Sequence, residues 1–70
     1  MRIVEVSKEP VELYKILKFE GMVASGGEAK RVIAEGHVLV NGEVETRKRK
    51  KIVSGDTIEF ADEKIHIQLS

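Results

Sequence analysis

The sequence predicts an α+β fold in which two short helices pack on a small, mostly antiparallel sheet. Three observations support this: a β-branched segment at the N-terminus, two amphipathic helical segments separated by glycines, and short alternating segments in the C-terminal half. We expect residues 1–70 to form one domain. A chain of 70 residues buries only about 60% of the surface that it exposes when unfolded, so it can form a single small core but not two.

The N-terminal part predicts a strand followed by a helix. Residues 2–6 (RIVEV) are rich in β-branched residues and predict the strand. Ser7 is a candidate cap for the helix, and Pro10 suits its first turn, where the missing N–H costs nothing. Apolar residues recur at helical spacing over residues 11–17, and Gly21 suits a left-handed helix end.

The second helix is predicted to begin at a capping box. In this motif the Ser25 hydroxyl accepts a hydrogen bond from the Glu28 N–H, and the Glu28 carboxylate accepts one from the Ser25 N–H. Ala29 and Ile33 then share one apolar face, and Gly36 is expected to end the helix.

The remaining elements are predicted to be strands. Asn41-Gly42 lies between strand-forming residues and predicts a type I′ hairpin, because both central positions of that turn need a positive φ. Residues 52–53 are a candidate strand, and residues 54–56 predict a turn. Residues 57–60 and 64–69 alternate like an antiparallel pair with one buried face.

The charges are balanced over the whole chain but not along it. Residues 30–51 carry seven basic and three acidic side chains, a net charge of +4, whereas the other residues carry five basic and nine acidic ones, a net charge of −4. This division predicts one basic face on an otherwise acidic body, which is typical of a nucleic-acid-binding protein.

Several function classes are disfavoured by what the sequence lacks. It contains no cysteine, which excludes disulfides, thiolate metal sites and thiol nucleophiles, and His37 and His66 do not have metal-ligand spacing. No catalytic combination of Ser, His and Asp is visible, so we expect no enzyme activity and no cofactor. No apolar run exceeds three residues, so we expect no membrane span, no signal peptide and a cytoplasmic location.

The most prominent candidate for binding is the run of five consecutive basic residues at positions 47–51. In an extended segment, Arg47, Arg49 and Lys51 would point to the same side. A solvated loop without a ligand is the alternative interpretation of such a run.

Basic residues on the two helices favour the binding interpretation. Lys30 has no acidic residue at helical spacing, so its ammonium group is free to contact a phosphate. Arg31 differs, because Glu28 and Glu35 are spaced to pair with it. Lys18 also lacks such an acid, and it either extends the basic patch or is simply solvated.

The start of the second helix could also bind an anion, because its free N–H groups and its dipole favour negative charge. Glu28 competes for the same positive end of the helix. We therefore favour a capping role for Ser25, with phosphate contact as the alternative.

Aromatic residues are few: Tyr14, Phe19 and Phe60. Phe60 alternates with an apolar neighbour and is expected in the core, and no exposed aromatic platform is expected. Recognition of a nucleic acid would then depend on charge and on the shape of the RNA rather than on base stacking.

A set of spaced residues resembles a known pattern. It consists of Leu13-x3-Leu17-x3-Gly21, Ser25, Ala29-Lys30, Ile33, Gly36-x-Val38-x-Val40-Asn41-Gly42 and Gly55-Asp56-x-Ile58. This pattern covers about residues 11–60 and resembles the S4-type RNA-binding domain, also called the α-L motif. The short N-terminal strand, the lack of an attached domain and the Glu-Thr-Arg-Lys-Arg segment are most similar to the stand-alone YbcJ-like bacterial branch of that family.

The resemblance implies a helix pair on a small sheet that binds structured RNA, often ribosomal RNA, through the second helix and neighbouring loops. Lys30 matches the basic position of that helix, and residues 47–51 match the loop after the hairpin. One departure concerns Gly26, because many members carry Arg directly after the Ser that opens this helix.

Our hypothesis is a monomeric, non-catalytic protein that binds structured RNA, such as ribosomal RNA or a ribosomal subunit, and not a membrane. The candidate RNA-binding residues are Lys30, Arg47, Lys48, Arg49 and Lys51, with Arg31, Lys50, Ser25 and Lys18 in secondary roles. The alternative is a protein-interaction module that docks its basic face on an acidic partner.

Overall fold

Two helices and a five-stranded sheet form the fold in a computed structural model, which describes all 70 residues. The elements are β1 (Arg2–Val6), β2 (Val11–Glu12), α1 (Leu13–Phe19), α2 (Gly26–Ala34), β3 (Val38–Val40), β4 (Glu43–Val44), β5 (Lys51–Ile52), β6 (Thr57–Phe60) and β7 (Glu63–Leu69). Neither helix is long and apolar enough to cross a membrane. The predicted α+β class is confirmed.

The main sheet has the strand order β1-β7-β6-β3-β4, and β2 pairs separately with β5. Only the β1–β7 pair is parallel, so the sheet is mostly antiparallel, as predicted. Strand alternation turns Ile58 of β6 and Ile65 and Ile67 of β7 inwards, where all three are fully buried. They pack with Leu17 of α1 and Ile33 of α2 in one apolar core.

The start of α1 differs from the prediction. Residues 11–12 pair with β5 instead of forming the first helical turn, so the helix begins at Leu13, and neither Ser7 nor Pro10 belongs to it. The N–H groups of Leu13 and Tyr14 donate to the carbonyl oxygens of residues 50 and 48, at 2.9 and 3.1 Å. Backbone from the basic run therefore takes the place of a side-chain cap at this helix end.

The start of α2 follows the prediction in one of its two hydrogen bonds. The Ser25 hydroxyl accepts from the Glu28 N–H at 3.1 Å. The Glu28 carboxylate accepts from the Ala24 N–H at 2.8 Å, not from Ser25, so the reciprocal bond reaches one residue further back. Gly36 has a φ of 84° directly after the end of the helix, as expected for a left-handed exit.

The predicted hairpin and turn are both present, and one side chain joins them. Asn41 and Gly42 have φ values of 54° and 83°, which are those of a type I′ turn. The Asn41 amide donates to the Asp56 carboxylate at 3.0 Å and accepts from the Thr57 N–H at 2.9 Å. Asp56 also accepts from the Val53 N–H at 3.0 Å, so this network fixes the turn before β6.

Replacing Ser25 with Ala removes the acceptor for one N–H at the start of α2. We expect the free energy of unfolding to fall by about 0.5–2 kcal/mol, measured by urea denaturation. Ser7→Ala is the matched control, because exposed Ser7 caps no helix, and we expect a change within about 0.5 kcal/mol. Equal effects of the two substitutions would contradict the capping role of Ser25.

Candidate nucleic-acid interface

The basic run at residues 47–51, called the basic loop below, is not extended. The Lys50 N–H donates to the Arg47 carbonyl at 3.1 Å, so the chain turns over residues 47–50. The prediction that Arg47, Arg49 and Lys51 line one side is therefore wrong, because alternation requires an extended backbone. Hydrogen bonds from the start of α1 to the carbonyl oxygens of Lys48 and Lys50 hold this turn against the helix.

The ring of Tyr14 is the point on which cations from three elements converge. Lys30 Nζ of α2 lies 4.8 Å from the ring centroid, and Arg49 Cζ of the basic loop lies 5.8 Å from it. Lys15 Nζ, from α1 itself, lies 6.0 Å away. These distances fall within the range of cation–π attraction. Lys30 and the basic loop thus meet although they are distant in sequence.

The cations of α2 and the basic loop differ in how strongly carboxylates engage them. Lys30 and Lys48 form no ion pair with any Asp or Glu. Arg49 Nη1 lies 3.8 Å from Glu12 Oε2, beyond hydrogen-bond distance, and its side chain is 59% exposed. These three side chains therefore keep donors that are available to an external anion.

Arg47 is engaged much more strongly than Arg49. Its Nε and Nη2 donate to the two carboxylate oxygens of Glu45 at 2.9 and 3.1 Å, and its backbone N–H donates to Glu45 Oε2 at 3.0 Å. The hydrogen bonds from Arg47 lower the pKa of Glu45 to about 2, and the same pair raises the pKa of Arg47. This ion pair fixes the entry to the basic loop.

Lys18 lies beside the first turn of α2. An ideal Cβ at Gly26 would be 3.8 Å from Lys18 Cδ, which is ordinary van der Waals contact. Lys18 is one turn after Tyr14 on α1, and Gly26 is one turn before Lys30 on α2. Lys18 Nζ lies 5.9 Å from the centroid of the Phe19 ring, so Lys18 extends the cluster along α1. We define the basic patch as Lys30 and Arg49, which approach the Tyr14 ring, together with Lys48, whose carbonyl accepts from the Tyr14 N–H, and Lys18 on the next turn of α1.

The other predicted residues lie outside this patch or have partners. Arg31 pairs with Glu35 at 3.2 Å, as its i, i+4 spacing predicts. Lys51 lies in β5 and lines a groove between β1 and α1 that neither Tyr14 nor Lys30 lines. The half-buried Lys50 contributes its carbonyl to α1, and Ser25 caps α2.

Comparison with known proteins agrees with this architecture. The S4 domain family matches residues 4–68 of the chain. The chain belongs to the S4 domain family. This membership confirms the resemblance inferred from the motifs.

Two curated relatives of this S4 domain carry functional names. YbcJ of Escherichia coli (strain K12), named as an RNA-binding protein, is 50% identical over 68 residues, which cover 96% of this chain and 97% of YbcJ. RlbA of Bacillus subtilis (strain 168), named as a ribosome maturation protein, is 36% identical over 57 residues, which cover 81% of this chain and 80% of RlbA.

The solution structure of Escherichia coli YbcJ superposes with a TM-score of 0.74 at 48% sequence identity. The superposition covers 97% of this chain and 87% of that one. That structure is described as containing an α-L motif involved in RNA binding. The predicted α-L architecture of this S4 domain is therefore confirmed.

Two features of the aromatic residues were not predicted. Phe19 is 70% exposed, which the sequence did not indicate, whereas Phe60 is half-buried and packs against the core. Tyr14 was missed as a member of the site, because Lys30 and Arg49 lie 16 and 35 positions away from it in the sequence. No short-range spacing rule connects residues so far apart.

Replacing Glu45 with Gln tests the ion pair with Arg47 through its pH dependence. The folded-state pKa of Glu45, about 2, lies below the ordinary 4.5, so its contribution to stability is complete above pH 4.5 and is lost as the pH falls to about 2. We expect Glu45→Gln to lower Tm at neutral pH, and the difference from wild type to vanish near pH 2, measured by circular dichroism.

Glu43→Gln is the matched control, because Glu43 is an exposed acid of the neighbouring strand that forms no ion pair. We expect its Tm to stay close to that of wild type throughout the titration. A Tm difference for Glu45→Gln that does not change with pH would contradict the assigned role of the ion pair.

Proposed function

We propose that this S4 domain is a non-catalytic RNA-binding protein that contacts structured RNA through the basic patch. The observation that carries the proposal is the convergence of Lys30 and Arg49 on Tyr14. Cations from a helix and a loop that meet at one surface can neutralise neighbouring phosphates of a folded RNA, whose shape positions those phosphates.

The available charge of the patch supports phosphate binding more than internal stabilisation. Surface ion pairs would already satisfy these cations if their role were structural, as Glu45 satisfies Arg47. Lys18, Lys30 and Lys48 instead form no ion pair, and Arg49 is held only loosely by Glu12. A cluster of unpaired cations repels itself, and a polyanion relieves that repulsion.

Tyr14 acts in this proposal as a positioning residue. Its ring attracts the Lys30 ammonium of α2 and the Arg49 guanidinium of the basic loop, each by about 0.5–1 kcal/mol at an exposed site. Long basic side chains lose less conformational entropy on binding when they are already held near the bound geometry. Tyr14 would therefore raise affinity without necessarily contacting the RNA.

The remaining predicted residues receive separate roles. Arg47 shapes the entry to the basic loop through its ion pair with Glu45. It contacts RNA only with the guanidinium donors that Glu45 does not bind. Arg31 contributes weakly because Glu35 competes for it. Lys50 and Lys51 extend the positive field beyond the patch, and Ser25 maintains the start of α2 on which Lys30 depends.

The proposed target is ribosomal RNA, free or within a ribosomal subunit. The name of the relative RlbA, which refers to ribosome maturation, supports this choice among structured RNAs. In this proposal the chain acts in the cytoplasm as a monomer, and residues 1–70 form one domain. The alternative of an acidic protein partner would use the same cations, so an experiment must separate the two.

Replacing Lys30 or Arg49 with Ala should remove one phosphate contact each. We expect the slope of log affinity against log salt concentration to become less negative by about 0.7–0.9 for each substitution, because each contact releases counterions. The measurement is filter binding to purified ribosomal RNA across a salt series. Lys64→Ala is the matched control, because Lys64 is an exposed, unpaired lysine of β7 that lies outside the patch.

Three results would contradict this proposal. A slope near zero for the wild type would exclude phosphate neutralisation. An equal change in Lys64→Ala would show that the effect depends only on total charge. Displacement of the RNA by polyglutamate at equal charge concentration would favour the acidic protein partner.

Substitution of Tyr14 separates positioning from contact. We expect Tyr14→Leu to weaken RNA binding by about 2- to 10-fold, because two cation–π attractions are lost, while the salt slope stays unchanged because every cation remains. Tyr14→Phe keeps the ring and should bind like wild type. Similar weakening in both variants would assign the effect to the hydroxyl group instead, and thermal unfolding of each variant checks that the fold is retained.

A further inference from the structure

A second surface lies on the other side of α1, where β1 forms an edge of the five-stranded sheet. A groove of about 680 Å³ runs there between β1, β2 and α1. Its apolar lining consists of Val4, Val6, Val11, Ile16 and Phe19. Val4 and Ile16 are buried at the floor of the groove, whereas Phe19 is 70% exposed at its rim, with Lys18 Nζ 5.9 Å from the centroid of its ring. The exposed apolar surface of the groove is therefore provided mainly by Phe19.

The backbone of β1 has hydrogen-bonding groups that face away from the sheet. β1 pairs only with β7, and the Ser70 N–H donates to the Val6 carbonyl at 2.9 Å, so the peptide groups of Val6 face β7. Successive residues of a strand direct their peptide groups to opposite sides. The N–H and C=O groups of Ile3 and Glu5 therefore point to the open edge, where no strand pairs with them.

The charges around the groove are unequally paired. Among its acids, Glu20 pairs with Arg2 at 2.9 Å and Glu12 pairs with Lys15 at 3.3 Å. Lys8 and Lys51 line the same groove and form no ion pair. The groove therefore offers two free cations beside an apolar floor, against the single unpaired carboxylate of Glu5.

We infer that the β1 edge and its groove bind an extended peptide segment of another protein, which adds to the sheet as a strand. The peptide backbone bonds to the free groups of Ile3 and Glu5, and alternate apolar side chains enter the groove. An acidic side chain of the peptide pairs with Lys8 or Lys51. This binding does not depend on the basic patch, because none of the residues of that patch lines the groove.

The same features argue against the other occupants. An RNA strand has no regular series of N–H and C=O groups that matches a β-edge, and an apolar floor gains little from phosphates. A second copy paired antiparallel about Val4 would place two Ile3–Glu5 pairs side by side, which brings no acidic group to Lys8 or Lys51. An apolar and acidic peptide satisfies the edge, the floor and the free cations together.

The probe is a phage-displayed library of random octapeptides selected against the intact chain. We expect the enriched peptides to alternate apolar residues with polar ones and to include Asp or Glu. Synthetic copies of these peptides should bind the wild type and perturb the amide resonances of Ile3 and Glu5 in NMR spectra.

Ile3→Pro is the decisive variant, because it removes an N–H that faces the open edge and leaves the N–H groups bonded to β7 in place. We expect peptide affinity to fall roughly tenfold or more, with RNA affinity unchanged. Ile3→Val keeps this N–H group and is the matched control, which should bind normally. Phe19→Ala tests the groove without touching the strand, and it should weaken peptide binding while Tm stays near that of wild type.

Four results would overturn the inference. They are failure to enrich any octapeptide, equal peptide affinity for wild type and Ile3→Pro, loss of RNA binding in Ile3→Pro, and self-association of the wild type that Ile3→Pro abolishes. The third result would assign the groove to RNA, and the fourth would assign the edge to a second copy. None of them changes the salt slopes of Lys30→Ala and Arg49→Ala, so the proposed RNA function is tested separately.

Discussion

The contact between the start of α1 and the basic loop is the constraint on which the candidate site depends. The N–H groups of Leu13 and Tyr14 need acceptors, and the carbonyl oxygens of Lys48 and Lys50 provide them at 2.9–3.1 Å. The same two hydrogen bonds bring the basic loop beside Tyr14. One backbone contact therefore both completes the helix end and places the basic loop at the candidate site.

This arrangement has an electrostatic cost that two acidic residues reduce. The N-terminus of a helix is itself positive, so a loop of five cations beside it is unfavourable. Glu12, at the helix cap, lies 3.3 Å from Lys15 Nζ and 3.8 Å from Arg49 Nη1, and Glu45 binds Arg47 through two side-chain hydrogen bonds. These distances give the two arginines different roles. Arg47 is held by Glu45 within the loop, whereas Arg49 remains available to an external anion.

The parts of the fold that the sequence predicted are those encoded by near neighbours. The Ser25 cap, the hairpin at Asn41 and the turn at Asp56 each follow from residues within three positions, and all three are present. The predicted start of α1 was wrong because it relied on the local preference of Pro10 for a first helical turn. Long-range strand pairing of residues 11–12 determines the structure there instead. Val11 pairs with Ile52, 41 positions away, and two-residue strands leave no pattern in a sequence.

In the candidate site, too, the sequence predicted the features that depend on near neighbours and missed the others. Lys30 was identifiable because the absence of an acid at helical spacing is a local property, and Arg31 was correctly matched to Glu35 for the same reason. Tyr14 could not be identified as a site residue, since an aromatic residue at helical spacing has the same sequence pattern as a core residue. The ion pair between Glu45 and Arg47 was not predicted either. It forms in an irregular segment, where no periodicity indicates that residues two positions apart are in contact.

The two surfaces proposed for binding meet at α1, and Glu12 lies at the boundary between them. Its carboxylate is near Lys15, which lines the groove and also approaches the Tyr14 ring, and near Arg49 of the basic patch. Its two oxygens are divided between these cations, since Oε1 lies 3.3 Å from Lys15 Nζ and Oε2 lies 3.8 Å from Arg49 Nη1. Since a carboxylate competes with phosphate for a guanidinium, the long distance from Glu12 to Arg49 is what leaves Arg49 accessible to an external anion.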